Sequence, residues 1–160
     1  MPKVSVVVPI FGVEKYIERC AKSLFEQTLT DMEFIFVDDC TYDHSIDKLQ
    51  HMIIQYPQRK SQVKILHNER NLGLPQSRKM GVLEATGDFI AHCDSDDWVD
   101  PGLYEMMYKS ALQNNADITV CDFLVKRPNC IELRIGARTA DIYKYTVELL
   151  FQERPVSMVN

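Results

Sequence analysis

The sequence predicts an α/β fold, a mostly parallel, twisted sheet with helices on both faces. Three observations point there. Short apolar runs rich in Val, Ile and Phe alternate with longer segments whose apolar residues recur at helical spacing. Strands separated by helices argue for right-handed βαβ units. Two of the runs end in acidic clusters, Asp38-Asp39 and Asp94-Ser95-Asp96-Asp97. The C-terminal ends of buried strands form the mouth of such a sheet, where ligands bind.

The elements follow in order. Lys3 to Val8 is β-branched and apolar, and Pro9 is expected to end it. Glu14 to Gln27 places Ile17, Cys20, Ala21, Leu24 and Phe25 on one helical face. Glu33 to Val37 reads as a second strand. Ser45 to Tyr56 repeats Ile46, Leu49 and Ile53 as a helix stopped by Pro57. Val63 to His67 is a third strand. Gln76 to Ala85 is a helix, with Pro75 suited to its first turn and Gly87 to its end. Asp88 to Cys93 is a fourth strand. Leu103 to Leu112 is a helix started by Asp100-Pro101, and Ile118 to Val125 a fifth strand. Beyond Arg127-Pro128-Asn129 the pattern weakens: Ile131 to Ile135 reads as an extra strand and Thr139 to Phe151 as a helix. The expected organisation is an α/β core over 1–125 and the start of a second region over 126–160. The end at Val159-Asn160, without turn or polar tail, reads as a cut inside a larger protein.

Composition narrows the classes. The 160 residues suit one domain with one core. A hydrophobic fraction of 46% and a charged fraction of 26% are ordinary for a globular protein. A net charge of −5 carries no nucleic-acid footprint. No apolar stretch approaches the roughly 20 residues of a membrane span, and no signal peptide precedes the first strand. Five cysteines, an odd number without a Cys-x-x-Cys pair, suggest neither a disulfide framework nor a zinc knuckle. Buried, reduced thiols and a cytoplasmic location are the expectation.

Carboxylates crowded at one strand end repel one another unless a cation or hydrogen-bonding ligand joins them. Alternate carboxylates of Asp94-Ser95-Asp96-Asp97-Trp98 can point to one side, as a hard cation such as Mg²⁺ or Mn²⁺ requires. The alternative is a solvated turn with a helix cap, a role that suits Asp100 before Pro101. Asp38 or Asp39 can accept a hydrogen bond from a base or ribose, while Asp43 reads as a helix cap. The stretch Asn71 to Gly81 is a loop entering a helix, whose free N–H groups suit an anion. Arg78 there reads as a phosphate contact or a surface arginine. Its glycines do not match dinucleotide or P-loop fingerprints. His44, His51, His67 and His92 form no triad pattern; His92 lies beside the acidic cluster.

Together these pieces resemble the nucleotide-binding half of family-2 glycosyltransferases with the GT-A fold, a Rossmann-like sheet. The resemblance covers nearly the whole chain. It is carried by Val4 to Phe11 with Glu14-Lys15-Tyr16-Ile17, by Ser23-x-x-x-Gln27-Thr28, and by Glu33 to Asp39 with its Asp-Asp pair. Asn71-x-Gly73 with Arg78 and Gly81, and Gly87-Asp88 with Asp94 to Trp98 and Pro101, complete it. Five pieces in the right order are specific.

The resemblance implies that Pro9 and Phe11 line a base pocket, with Glu14 beside it. It implies that Asp39 accepts a hydrogen bond from the base, supported by Asp38, and that Arg78 lies near a diphosphate. Asp94 opens the acidic motif, Asp96 contacts ribose or metal, and Asp97 contacts Mn²⁺ or Mg²⁺; ribose and metal are not divided among the three. The family usually has Tyr-Asn where this chain has Phe11-Gly12, and small residues where it has Cys40 and Tyr42. The implied activity is metal-dependent, inverting transfer of a sugar from a nucleoside-diphosphate sugar, UDP-linked, in glycan or cell-surface polysaccharide synthesis. The acceptor hydroxyl would belong to a glycan, a lipid-linked molecule or a protein. The catalytic base is expected beyond Asn160. Peripheral attachment at the inner membrane face through regions outside this chain is compatible with this reading. The alternative is a sugar-nucleotide-binding domain without turnover.

Overall fold

The structure, a computed structural model, describes residues 1–127 and 130–134. The chain divides into two compact units, Met1–Asn114 and Asn115–Asn160. In the first, β1 (Val4–Ile10), α1 (Ile17–Phe25), β2 (Met32–Asp38), α2 (Ser45–Gln55), β3 (Val63–His67), α3 (Leu74–Glu84), β4 (Phe89–His92) and α4 (Leu103–Asn114) follow one another. A 3₁₀ turn at Pro57–Gln62 links α2 to β3. The strands form one parallel sheet in the order β3-β2-β1-β4.

Alternation along the strands explains the layers. Val4, Val6, Val8 and Ile10 of β1, with Phe34 and Phe36 of β2, face one side. There they pack on Ile17, Cys20, Ala21, Leu24 and Phe25 of α1, Leu49 and Met52 of α2, and Tyr104 of α4. Val7, Ile35 and Val37 face the other side with Leu66 and Ala85, where α3 lies. The α1 face is the one its helical spacing predicts. α3 carries few large apolar residues and gets close through Ser77 and Gly81, both buried. A Cβ on Gly81 would collide with Val7 and crowd Val37, so this position needs glycine.

Pro9 does not end β1; it lies inside the strand, opposite Val37. The backbone explains why. The Lys3 and Val7 carbonyls accept N–H bonds from Phe89 and Cys93 on the β4 side, whereas Ile10 accepts from Asp39 on the β2 side. Pro9 shares the side of Val7, two residues past the last β1–β4 pair at Val7 and His92. Its missing N–H therefore costs the ladder nothing.

α1 starts at Ile17 rather than Glu14 because the preceding turn is tied to the loop after β2. Val13 N–H donates to Ser45 Oγ at 3.1 Å and Glu14 N–H to Asp43 Oδ2 at 2.9 Å. At its other end, Arg59 caps the chain leaving α1. Arg59 is 7% exposed, and its guanidinium donates to the carbonyls of Phe25, Gln27, Leu29 and Thr30 at 2.6–3.1 Å.

In the second unit the expected strand at Ile118–Val125 is found at Phe123–Arg127 (β5). It pairs antiparallel with β6 (Cys130–Arg134) in a sheet of its own rather than extending the parallel sheet. Short, adjacent strands can close as a hairpin, which needs no crossover helix. The helix expected at Thr139–Phe151 lies outside the described residues. The cysteines also depart from expectation: Cys20 and Cys93 are buried, but Cys40, Cys121 and Cys130 are exposed.

Candidate functional site

The first three strands step outward from β1 to β3, and α3 then carries the chain back so that β4 joins the opposite edge of β1. Sheets of this kind take ligands beside such a reversal, here at the C-terminal ends of β1 and β4. The loops after β1, β2 and β4 all emerge at this end. A depression of about 310 Å³ lined by Pro2, Met32, Glu33 and Lys64 sits at the other end of the strands and is not this site.

From β1 come buried Pro9, half-exposed Phe11, and Glu14. Glu14 ties loops together: its carboxylate accepts His44 N–H at 3.3 Å and its carbonyl accepts Lys48 Nζ at 2.7 Å. From β2 come Asp38 and Asp39. Asp38 accepts Thr41 N–H at 2.8 Å and pairs with His67 Nδ1 at 3.0 Å.

Asp39 is buried, and its carboxylate organises the loop before α3. It accepts Asn68 Nδ2 at 2.7 Å, Leu72 N–H at 2.8 Å and Gly73 N–H at 2.8 Å. Burial alone would raise its pKa, but these donors outweigh burial and hold the pKa below the ordinary carboxylate value. The Ser77 hydroxyl also hydrogen-bonds to this carboxylate, so its roughly four lone-pair sites are taken up by the fold. The Asn71–Gly81 segment is thus connected to the β2 acidic pair.

Asp94 opens the turn after β4. Its carboxylate meets Arg78 Nη2 of α3 at 2.5 Å, so the structure pairs two residues expected to serve separately. Arg78 Nε is buried with no hydrogen-bond partner among the described residues. The Asp94 carbonyl accepts Asp97 N–H at 3.0 Å and lies 3.7 and 3.6 Å from the Cys20 and Cys93 sulfurs. Hydrogen bonding with Cys93, then burial, raises the Cys20 pKa, so this thiol stays protonated and packs as an apolar group. Desolvation, then the Arg78 charge, lowers the pKa of His92, whose imidazole is neutral near pH 7.

Asp96 and Asp97 are exposed, and neither carboxylate has a hydrogen bond among the described residues. Desolvation first, then the charges of Asp96 and Asp94, raises the Asp97 pKa, while Arg19 opposes the rise. Arg19 was not legible in the sequence. It projects from α1, donates to the Asp96 carbonyl at 2.9 Å and stacks its guanidinium 3.8 Å over the Trp98 ring. Its spacing on α1 does not distinguish it from Glu18 or Lys22. Asn68 was missed too, although it follows β3 where Asp39 follows β2, and the same strand-end rule would have found it.

Residues Ser23, Gln27 and Thr28 support the segment after this turn. Ser23 Oγ accepts Val99 N–H at 3.3 Å, Gln27 Nε2 donates to the Asp100 carbonyl at 2.7 Å, and Thr28 N–H donates to the Pro101 carbonyl at 2.8 Å. Asp100 starts α4 through its carbonyl, which accepts Leu103 N–H at 3.1 Å.

Comparison with known proteins agrees with this architecture. Residues 5–156 match the family described as glycosyl transferase family 2. The chain is similar to EpsJ of Bacillus subtilis, an uncharacterized glycosyltransferase, with 37% identity over 123 residues, 77% of this chain and 34% of EpsJ. The S. aureus TarS 1-349 structure in complex with UDP superposes with a TM-score of 0.62 at 29% identity, covering 71% of this chain and 33% of TarS 1-349. The mannosyltransferase PcManGT of Pyrobaculum calidifontis, in complex with GDP-Man and Mn²⁺, shares the fold with a TM-score of 0.62 at 23% identity, covering 79% of this chain and 36% of PcManGT. The chain thus spans about a third of the length of these proteins. It belongs to glycosyl transferase family 2 and has the GT-A fold.

Proposed function

We propose that this chain binds the nucleoside diphosphate of a sugar donor, UDP-linked, together with Mn²⁺ or Mg²⁺, as the donor-binding part of an inverting glycosyltransferase. The observation that carries this reading is the reversal of strand order beside β1. The loops after β1, β2 and β4, which hold Phe11, Asp39 and the acidic turn, leave the same end of the sheet, and Arg78 of α3 is paired with Asp94 there. UDP in the TarS complex supports the choice of nucleotide.

Each part has a chemical task. Phe11 offers a ring face to the base. Asp39, at the end of β2, would accept a base N–H by sharing a carboxylate oxygen with its loop donors. Arg78 is held beside the acidic turn by Asp94 and carries the charge and planar donors that suit a phosphate oxygen. Asp96 and Asp97 fit a hard divalent cation: both are anionic, exposed and mutually repulsive. Among the described residues no three His, Cys, Asp or Glu side chains converge on one point. The remaining coordination positions would therefore fall to diphosphate oxygens and water, as is usual for Mg²⁺. When bound, the cation supplies charge neutralisation for the leaving diphosphate. Arg19 and Trp98 hold the acidic turn in place for that role.

The acceptor hydroxyl would attack from the face opposite the diphosphate, and a carboxylate beyond Asn160 would take its proton. Among the described residues no helix is long and apolar enough to cross a membrane. The acceptor is a hydroxyl of a glycan, lipid-linked molecule or protein.

Calorimetry with UDP, first in Mn²⁺ and then in excess chelator, tests the reading. UDP binding should require the cation. Asp97→Ala should weaken it in Mn²⁺ by at least tenfold, and Asp100→Ala by little. Equal affinity with and without the cation would remove Asp96 and Asp97 from the metal role.

A further inference from the structure

We propose that Tyr42 is a selectivity-determining contact for the nucleotide base, forming with Phe11 an aromatic corner that favours a pyrimidine over a purine. The proposal rests on the nucleotide-site reading above. Phe11 and Tyr42 leave the ends of the neighbouring strands β1 and β2. Their rings meet edge to face, with centroids 5.5 Å apart and planes at 79°. Folding covers little of Tyr42, which is 80% exposed, and about half of Phe11, which is 44% exposed. The apolar area of both rings is therefore open to a ligand.

The backbone is built around this pair. Gly12 has φ +67°, and a Cβ there would stand 3.1 Å from Tyr42 Oη. A larger residue at position 12 would be strained in itself and would push against the tyrosine. Thr41 fastens the two loops beneath the rings. Its hydroxyl accepts Gly12 N–H at 2.9 Å and donates to Asp43 Oδ1 at 2.9 Å, and its own N–H donates to Asp38 Oδ1 at 2.8 Å. The unusual residues at positions 11, 12 and 42 thus meet at one point. A phenol hydroxyl absent from position 11 is present at position 42.

Two rings at 79° make a corner rather than parallel jaws. A base stacked on one ring meets the other within its own plane. That second ring limits how far the base can extend. A one-ring pyrimidine fits within the limit, whereas a two-ring purine must displace Tyr42.

Calorimetry in Mn²⁺ with UDP, GDP and inorganic pyrophosphate tests this on the wild type, Tyr42→Ser, Tyr42→Phe and Phe11→Ala. Loss of one stacking wall should weaken UDP binding by about tenfold in Tyr42→Ser. GDP, which no longer has to displace Tyr42, should bind as well or better, so that the preference for UDP over GDP falls, and pyrophosphate affinity should not change. Tyr42→Phe should retain most of the wild-type preference. Unchanged UDP affinity and UDP/GDP ratio in Tyr42→Ser, alongside weakened UDP in Phe11→Ala, would overturn the role of Tyr42 and leave the nucleotide site standing. Failure of the folded wild type to bind either nucleotide in Mn²⁺ would overturn the site reading and the proposal with it. The position of Tyr42 on the surface makes a folding defect separable: thermal unfolding of Tyr42→Ser should match the wild type.

Discussion

Asp39 shows how a single side chain can serve both the fold and a ligand. Its carboxylate holds two backbone N–H groups and the Asn68 amide, and these donors keep it ionised. Asp39→Ala would strand all of them in a buried place. It should lower unfolding stability and weaken UDP binding, each by roughly 1–3 kcal/mol. Urea unfolding and calorimetry on the same preparation separate the two. A stability loss without loss of UDP affinity would make Asp39 a loop organiser only. Arg19 illustrates the converse case, a residue whose importance lies wholly in its neighbours. A lysine there would keep the charge but not the flat stack on Trp98. Cys40 occupies the left-handed region at φ 58° between Asp39 and Thr41, a conformation that usually favours glycine.

At the scale of elements, the site depends on loops fastened to one another more than on any single loop. Asp43 is the main fastener. It caps the start of α2 through Ser45 N–H at 3.1 Å and takes the Ser45 hydroxyl at 2.6 Å. It also reaches across to Glu14 N–H and Thr41 Oγ1. Partial burial would raise its pKa, but the Ser45 hydroxyl, the Glu14 N–H and the Thr41 hydroxyl outweigh burial and bring it down to about 2. The folded-state pKa thus lies below the unfolded value. The stabilisation is present in full above the unfolded pKa, near 4, and is lost as pH falls towards 2. Denaturant unfolding at stepped pH should show wild type losing up to about 2 kcal/mol more than Asp43→Asn between pH 5 and pH 2. Parallel pH profiles for the two proteins would remove Asp43 from this role. The same network joins the end of β1 to the end of β2, so Asp43→Asn should also loosen Phe11 and Tyr42.

At the scale of the whole molecule, the chain carries the groups proposed for the donor side and spans about a third of its relatives' length. A base beyond this span would supply on the order of a hundredfold to ten-thousandfold in rate, and acceptor positioning would add to that. The 160-residue chain tested alone should therefore bind UDP in Mn²⁺ yet transfer sugar far more slowly than a full-length protein containing it. The check is a transfer assay of both on the same panel of acceptors. Comparable rates would place the base inside these 160 residues. Glu132 on β6 would then be the first residue to replace, with Asp141 and Glu148 after it.

Hydrophobic pattern by itself determined the order of strands and helices in the first unit, the buried face of α1 and the strand-end position of the acidic pairs. These are local properties: a run of Val, Ile and Phe is buried wherever a parallel sheet forms, and a residue after such a run lies at the sheet mouth. The same pattern misjudged Pro9, because whether a missing N–H matters depends on where the neighbouring strand stops. It extended the parallel series to a fifth strand, because pairing partner and direction are not encoded in a strand's own residues. Only the tertiary structure decided that Arg78 pairs with Asp94, that Arg19 clamps the acidic turn and that Asp39 holds the loop before α3. Their partners lie 16, 77 and 29–34 residues away along the chain. No periodicity spans such distances. Those contacts exist because α3 recrosses the sheet and sets β4 beside β1, bringing distant loops to one mouth.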